Sequence, residues 1–223
     1  MQRPPPHGTT ARFAHPLPDP VLLVHGLWTN RAIMLYLARA LAGQGFAPRA
    51  IGYFSALDDF EHNAARVARA IAECPGERLH VVGHSLGGLV ALRALARRPD
   101  PRVRRLVMLG SPIADCLSGR RMARMRFLAP LLGTTRTLWS DMPPLDIPPG
   151  VEAGAIAGTR RFGLGSVVLR LPGPSDGVVR VEETRHPRLA DHVVMPVAHS
   201  EMLVSRAVAM QVASFLRNGR FAA

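Results

Sequence analysis

The chain has 223 residues and a formal net charge of +12, and all 28 of its basic residues are arginine. A chain of this length buries roughly 70–75% of its unfolded surface, so it is expected to fold as one domain with no disulfide or metal to hold it. The lack of lysine excludes mechanisms that run through a lysine amine, such as a Schiff base or a Walker-type phosphate loop.

An apolar content of 48% with 20% charged residues is that of a globular protein, and no apolar run reaches the length of a membrane span. Residues 1–20 are proline-rich and basic, with no apolar segment of signal-peptide length, and are read as a poorly ordered leader on a cytoplasmic protein. Cys74 and Cys116 show neither C-x-x-C nor zinc-finger spacing, which fits a reducing compartment.

In chain order, residues 21–24 form an apolar run ending in His25-Gly26, which predicts a buried strand and a sharp turn. Ile33, Leu37, Ala40 and Leu41 then recur at helical spacing, predicting a helix over 31–42 closed by Gly43 and Gly45. A second strand is expected over 47–54. Ser55 and Asp58 resemble a capping box for the next helix, whose Phe60, Ala64, Val67, Ala68 and Ile71 share one face.

Further strands are expected at 79–82 and 103–109, separated by a turn at 83–88 and a helix over 89–98 that stops at Pro99. Residues 113–150 break this rhythm. Arg120, Arg121, Arg124 and Arg126 are interleaved there with Met122, Met125, Phe127 and Leu128, and prolines close the segment. Strands at 151–158 and 192–197 follow, then a final helix over 201–217 with Leu203, Val204, Ala207, Val208, Val212, Phe215 and Leu216 on one stripe. Short apolar strands alternating with amphipathic helices predict an α/β fold with a mostly parallel sheet. Residues 21–223 are read as a single domain and 113–150 as a cap-like insertion.

Gly83-His84-Ser85-Leu86-Gly87 matches G-x-S-x-G and lies between a predicted strand and a predicted helix, the context that the motif requires. A serine hydroxyl needs an imidazole to take its proton, and the imidazole needs a carboxylate to fix its tautomer. Asp176, in the turn Gly173-Pro174-Ser175-Asp176-Gly177, and His199, between the last strand and the last helix, supply both in the order serine, acid, histidine. Asp115, after the fourth strand, is a rival acid. Asp191 is a poorer one, because it precedes a strand.

Other segments resemble known motifs: His25-Gly26-Leu27-Trp28 an oxyanion-strand motif, Gly83 to Gly88 a nucleophile elbow, and Leu109-Gly110-Ser111-Pro112 the segment after a sixth strand. On these residues the chain resembles an α/β-hydrolase of the lipase and esterase kind over about 21–217. The resemblance implies an α/β-hydrolase fold, a mostly parallel sheet with helices on both faces, and an oxyanion hole from the Leu27 and Leu86 amides. The chain departs from the family in being short, lacking the first strands, and in carrying Ile113-Ala114-Asp115 where many lipases have a histidine or a glycine-serine variant.

The expected activity is hydrolysis of a carboxylic ester through an acyl-enzyme on Ser85, with Trp28, Met122, Met125 and Phe127 contacting substrate. The alternatives are a thioesterase, amidase or acyltransferase on the same triad, or a non-catalytic module that binds anionic surfaces. The expected partner is a small-molecule or lipid ester, with peripheral contact to anionic membrane through the insertion and no nucleic acid, since the arginines are dispersed and aromatics are few. No cofactor or metal is expected. Gly163-Leu164-Gly165 has Val168 where a dinucleotide fingerprint needs its third glycine, and the histidines show no metal spacing.

Overall fold

The computed structural model describes residues 18–140, 145–162 and 171–223. Most of the proline-rich leader, part of the insertion and the Gly163-Leu164-Gly165 segment lie outside the described residues. Six strands, β1 (Pro20–Val24), β2 (Ala47–Ile51), β3 (Leu79–His84), β4 (Val103–Leu109), β5 (Glu152–Gly158) and β6 (Asp191–Met195), pair in parallel in the order β2-β1-β3-β4-β5-β6. Among the described residues the α-helices are α1 (Leu35–Ala42), α2 (Phe60–Ala72), α3 (Leu86–Arg97), α4 (Leu117–Arg124), α5 (Arg136–Ser140) and α6 (Arg206–Asn218).

A parallel sheet covered on both faces needs strands that are apolar on both sides, which is why β1 and the second half of β4 read as continuous hydrophobic runs and β3 is buried along its whole length. Alternate residues feed two cores. Leu22, Val24, Val81, Leu106 and Met108 pack with Val67 and Ile71 of α2 and with Leu89 and Leu92 of α3. On the other face Val21, Leu23, Val82 and Val107 meet Leu37 and Leu41 of α1 and Val208, Val212 and Phe215 of α6. Each such side chain contributes about 1.5–3 kcal/mol of apolar burial.

Local details differ from the sequence pattern where side-chain caps decide them. Asp59, not Ser55, caps α2, accepting from the His62 amide at 2.6 Å. Ser55 is buried in the loop after β2, and β2 itself ends at Ile51. The final helix is broken: Ser200–Leu203 is a 3-10 turn, and α6 begins only after Ser205, whose hydroxyl accepts from the Val208 amide at 3.3 Å. Val204 and Ala207 consequently face solvent instead of joining the apolar stripe.

The insertion folds as α4, a 3-10 segment (Ala129–Thr135) and α5. Its Ala123, Leu132, Leu138 and Trp139 join the same core as α2 and α3. The Trp139 indole donates to the Thr135 hydroxyl at 3.1 Å. Thr134 pins the segment to the loop after β2, its amide donating to the Ala56 carbonyl and its hydroxyl to that of Asp58.

Candidate active site

The chain leaves β1 toward β2 on one side and then returns past β1 to build β3 through β6 on the other. Loops at the C-terminal ends of β1 and β3 therefore diverge and leave a crevice at the switch point, where ligands bind in open parallel sheets. Gly26 and Leu27 follow β1 into this crevice, and Ser85 follows β3.

Ser85 has φ 54° and ψ −126°, in the left-handed half of backbone space. A non-glycine residue held there costs about 1–3 kcal/mol and persists only where its surroundings over-determine it. They do so here. The Ser85 amide donates to the Leu109 carbonyl at 2.8 Å, and the Ser85 carbonyl accepts from Gly88 at 3.1 Å. The strand can turn this tightly into α3 because Gly83 faces Gly88, where a Cβ on Gly83 would stand 2.5 Å from the Gly88 Cα. The Ser85 side chain stays partly exposed.

His199 follows β6 at the head of the 3-10 turn. Its Nδ1 meets Asp176 Oδ2 at 2.7 Å, and its amide donates to the Asp176 carbonyl at 3.1 Å. The other carboxylate oxygen, Oδ1, accepts from the amides of Val178 (2.9 Å) and Val179 (2.7 Å). Both residues are buried. Burial alone would raise the Asp176 pKa. The His199 charge and hydrogen bond, with the two amides, outweigh it and hold the carboxyl below its ordinary range.

An acceptor-only carboxylate on Nδ1 leaves Nε2 as the basic nitrogen. Gly110, at φ 55°, backs this pair; a Cβ there would lie 3.0 Å from Asp176 Oδ2 and 3.1 Å from His199 Nδ1. The rival acids are engaged elsewhere. Asp115 pairs with Arg120 and accepts from the Cys116 amide, and Asp191 accepts from the Phe221 amide at 2.7 Å.

His84 ties the two loops together. It is buried, its Nε2 donates to the His199 carbonyl at 3.0 Å, and its ring lies 4.8 Å from that of His199. Burial first, then the neighbouring His199 charge, push its pKa down from 6.5 to about 3. Burial also lowers those of His25, His80 and His192.

A group whose folded pKa is depressed contributes stability that is full above its unfolded value and is lost as pH falls toward the folded one. His84 should therefore cost about 1.4 kcal/mol per pH unit below roughly 6.5. The urea midpoint is expected to fall progressively from pH 7.5 to pH 5. The slope should be shallower by about one proton in His84→Gln, whose amide can still donate to His199; an unchanged slope would contradict a neutral His84.

The two expected oxyanion amides can be followed through their peptide planes. The Gly26 carbonyl accepts from the Thr29 hydroxyl at 2.9 Å and lies 3.0 Å from His25 Nδ1. In a trans peptide the N–H points opposite the C=O, so the Leu27 amide is turned away from these partners. The Ser85 carbonyl points into α3, so the Leu86 amide points back out of the helix N-terminus. Among the described residues neither amide donates a backbone hydrogen bond outside regular structure.

Three contributors were not singled out from the sequence. Tyr53 stacks on His25 at 4.2 Å and donates its hydroxyl to the His25 carbonyl. Thr29 holds the Gly26 peptide. Buried Glu183 accepts from the Leu117 amide at 2.6 Å and the Arg180 amide at 2.8 Å, and its carbonyl accepts from Ala114 at 3.0 Å, joining the Asp176 loop to the root of the insertion. Tyr53 and Glu183 reach partners 28 and 66 residues away, which no local motif encodes, while Thr29 acts through a backbone carbonyl three residues back.

A cleft of about 580 Å³ opens beside Gly26, lined by His25, Trp28, Tyr53, Phe54, Leu57 and Arg66 among others. Of the four expected substrate contacts, Trp28 lines this cleft. Met122 packs against the core, while Met125 and Phe127 are exposed, and none of these three lines it. Among the described residues no helix is long and apolar enough to cross a membrane.

The model of the alpha/beta hydrolase family matches residues 21–215. Among solved structures, the chain is similar to a lipase of Bacillus licheniformis in mature form, with a TM-score of 0.73 and 20% identity over 96% of this chain and 97% of that one. A metagenomic carboxyl esterase has a TM-score of 0.62 and 18% identity, over 88% and 68% of the two chains. A carboxylesterase from Bacillus subtilis has a TM-score of 0.54 and 17% identity, over 89% and 84%. At these identities the likeness is one of fold. No curated protein sequence matches the chain.

Proposed function

The chain belongs to the alpha/beta hydrolase family, and from that premise we propose that it is a serine hydrolase that cleaves a carboxylic ester through an acyl-enzyme on Ser85. The observation that carries the reading is the buried 2.7 Å contact of Asp176 with His199, joined through His84 to a serine held at φ 54°. His199 Nε2 takes the proton from Ser85 Oγ as the oxygen attacks the ester carbonyl, and Asp176 stabilises the imidazolium that forms. The Leu27 and Leu86 amides receive the negative charge on the tetrahedral oxygen, a role typically worth about 3–4 kcal/mol of barrier per donor. His199 then protonates the leaving alcohol, and water repeats the sequence to release the acid.

The same residues serve any acyl transfer. The ester is favoured because the solved structures this fold matches include ones described as a lipase and as carboxylesterases. The cleft at Trp28, Phe54 and Leu57 offers an apolar wall for one side of the substrate. A fluorophosphonate probe tests the nucleophile without knowledge of the substrate. We expect stoichiometric labelling with the adduct on Ser85 by peptide mass spectrometry; a folded protein that stays unlabelled, as a purely binding module would, defeats the reading.

A further inference from the structure

We propose that the substrate carries a phosphate group at the end remote from the scissile bond, and that Arg31, Arg49, Arg66 and Arg69 receive it. This rests on the ester-hydrolase reading above. A second recess, of about 480 Å³, adjoins the cleft and is lined by these four arginines with Ile51, Glu73 and neighbouring residues. Arg31, Gly52 and Arg66 line both spaces. Gly52 puts no side chain at the junction, so a molecule seated against Trp28 and Phe54 can continue past it. The cleft is lined by His25 and Trp28 on either side of Gly26, where an added Cβ would stand 3.1 Å from Ser85 Cβ, and it runs on into a basic end.

The four guanidiniums come from three elements. Arg31 opens the 3-10 turn before α1, Arg49 lies on the edge strand β2, and Arg66 and Arg69 sit three residues apart on one side of α2. The Arg66 guanidinium lies 6.0 Å from the centre of the Phe54 ring, at the mouth of the recess. Some arginines elsewhere are neutralised: Arg93 and Arg97 share Glu61, and Arg105 pairs with Glu152. Among the described residues none of the four forms an ion pair, and the one carboxylate lining the recess, Glu73, bonds none of them.

Gathering like charges gives the fold nothing and costs it repulsion. A ligand with several charged oxygens offsets that cost. Guanidinium forks match phosphate oxygens bidentately, and one singly charged carboxylate would use only part of the cluster.

The test compares two soluble esters of one acyl–alcohol pair, one ending in a neutral hydroxyl and the other in a phosphate monoester. The wild type is expected to show kcat/KM at least tenfold higher for the phosphorylated ester, with the advantage shrinking as sodium chloride rises from 20 to 300 mM. Arg49 and Arg69 line the recess and not the cleft. Arg49→Gln with Arg69→Gln should raise KM for the phosphorylated ester by about five- to tenfold, from two exposed contacts, and leave the neutral ester unchanged.

Equal rates on both esters overturn the inference while leaving the hydrolase reading intact. If neither ester is cleaved, the hydrolase reading falls separately. Calorimetric binding of phenyl phosphate to Ser85→Ala, with and without the arginine pair, then decides the recess on its own: saturable binding lost in the arginine variant supports it, and no binding overturns it. Phosphatidylglycerol vesicles form the last arm. Arginine-dependent vesicle binding without any preference for the soluble phosphorylated ester would assign these residues to a lipid surface and overturn the substrate assignment.

Discussion

Replacing Ser85 with alanine is expected to lower turnover of a nitrophenyl ester by about 10⁶-fold, the usual loss when a triad nucleophile is removed, with the fold unchanged. Alanine occupies the same φ 54° at similar steric cost and leaves the Leu109 and Gly88 hydrogen bonds in place, because both use the Ser85 backbone. The Asp176–His199 pair is untouched. Circular dichroism and the urea midpoint should match the parent, which separates loss of chemistry from loss of structure. Residual activity within tenfold of the parent in a folded variant would mean that another group attacks the carbonyl.

The second large effect is at the acid. Asp176→Asn should cut kcat by about 10⁴, as expected when the orienting group no longer selects the tautomer. The reason is geometric. One carboxylate oxygen accepts from Val178 and Val179 and the other meets His199 Nδ1, so all three contacts require an acceptor. An amide group must aim its NH₂ either at two backbone donors or at the imidazole, and in the second case it drives the ring proton to Nε2, where the base is needed. Asp115→Asn should change kcat less than threefold, since Asp115 is engaged by Arg120 and the Cys116 amide. The opposite ranking, measured on the same ester, would move the acid to the insertion.

The parallel sheet was legible because β1, β3 and the second half of β4 are buried on both faces and write much of that burial as apolar runs. The break before α6 was not. The hydrophobic period carries on through Ser200–Leu203, and only the Ser205 cap, a single hydroxyl, restarts the helix. The site divides in the same way. Ser85, Asp176 and His199 stand in short motifs whose chain order constrains them, and the structure brings Asp176 and His199 into contact.

Tyr53 and Glu183 look like an ordinary strand-end aromatic and an ordinary helix-capping acid in the sequence, because the partners that matter, the His25 carbonyl and the Leu117 amide, lie far along the chain. Trp28, Met122, Met125 and Phe127 were named as substrate contacts from the sequence, and of these Trp28 lines the cleft. The rest of its wall comes from the loops after β1 and β2 and from Arg66 of α2, a placement fixed by the order of strands and invisible to residue type. The arginines likewise read as dispersed among the helical patterns, and only the fold brings Arg31, Arg49, Arg66 and Arg69 to one recess.

Glu183 has a consequence for how this protein can diverge. Its carboxylate holds the first turn of α4 and the loop bearing Asp176 in one joint, and its own carbonyl adds a third link at Ala114. The insertion is therefore not an independent module. A replacement insertion that fails to present a backbone donor where Leu117 now stands would leave the buried Glu183 carboxylate short of a donor, and the disturbance would pass along the loop to Asp176 and so to the imidazole it contacts. Grafting new insertions onto this scaffold should succeed only when the graft begins after Leu117, so that the joint is inherited whole.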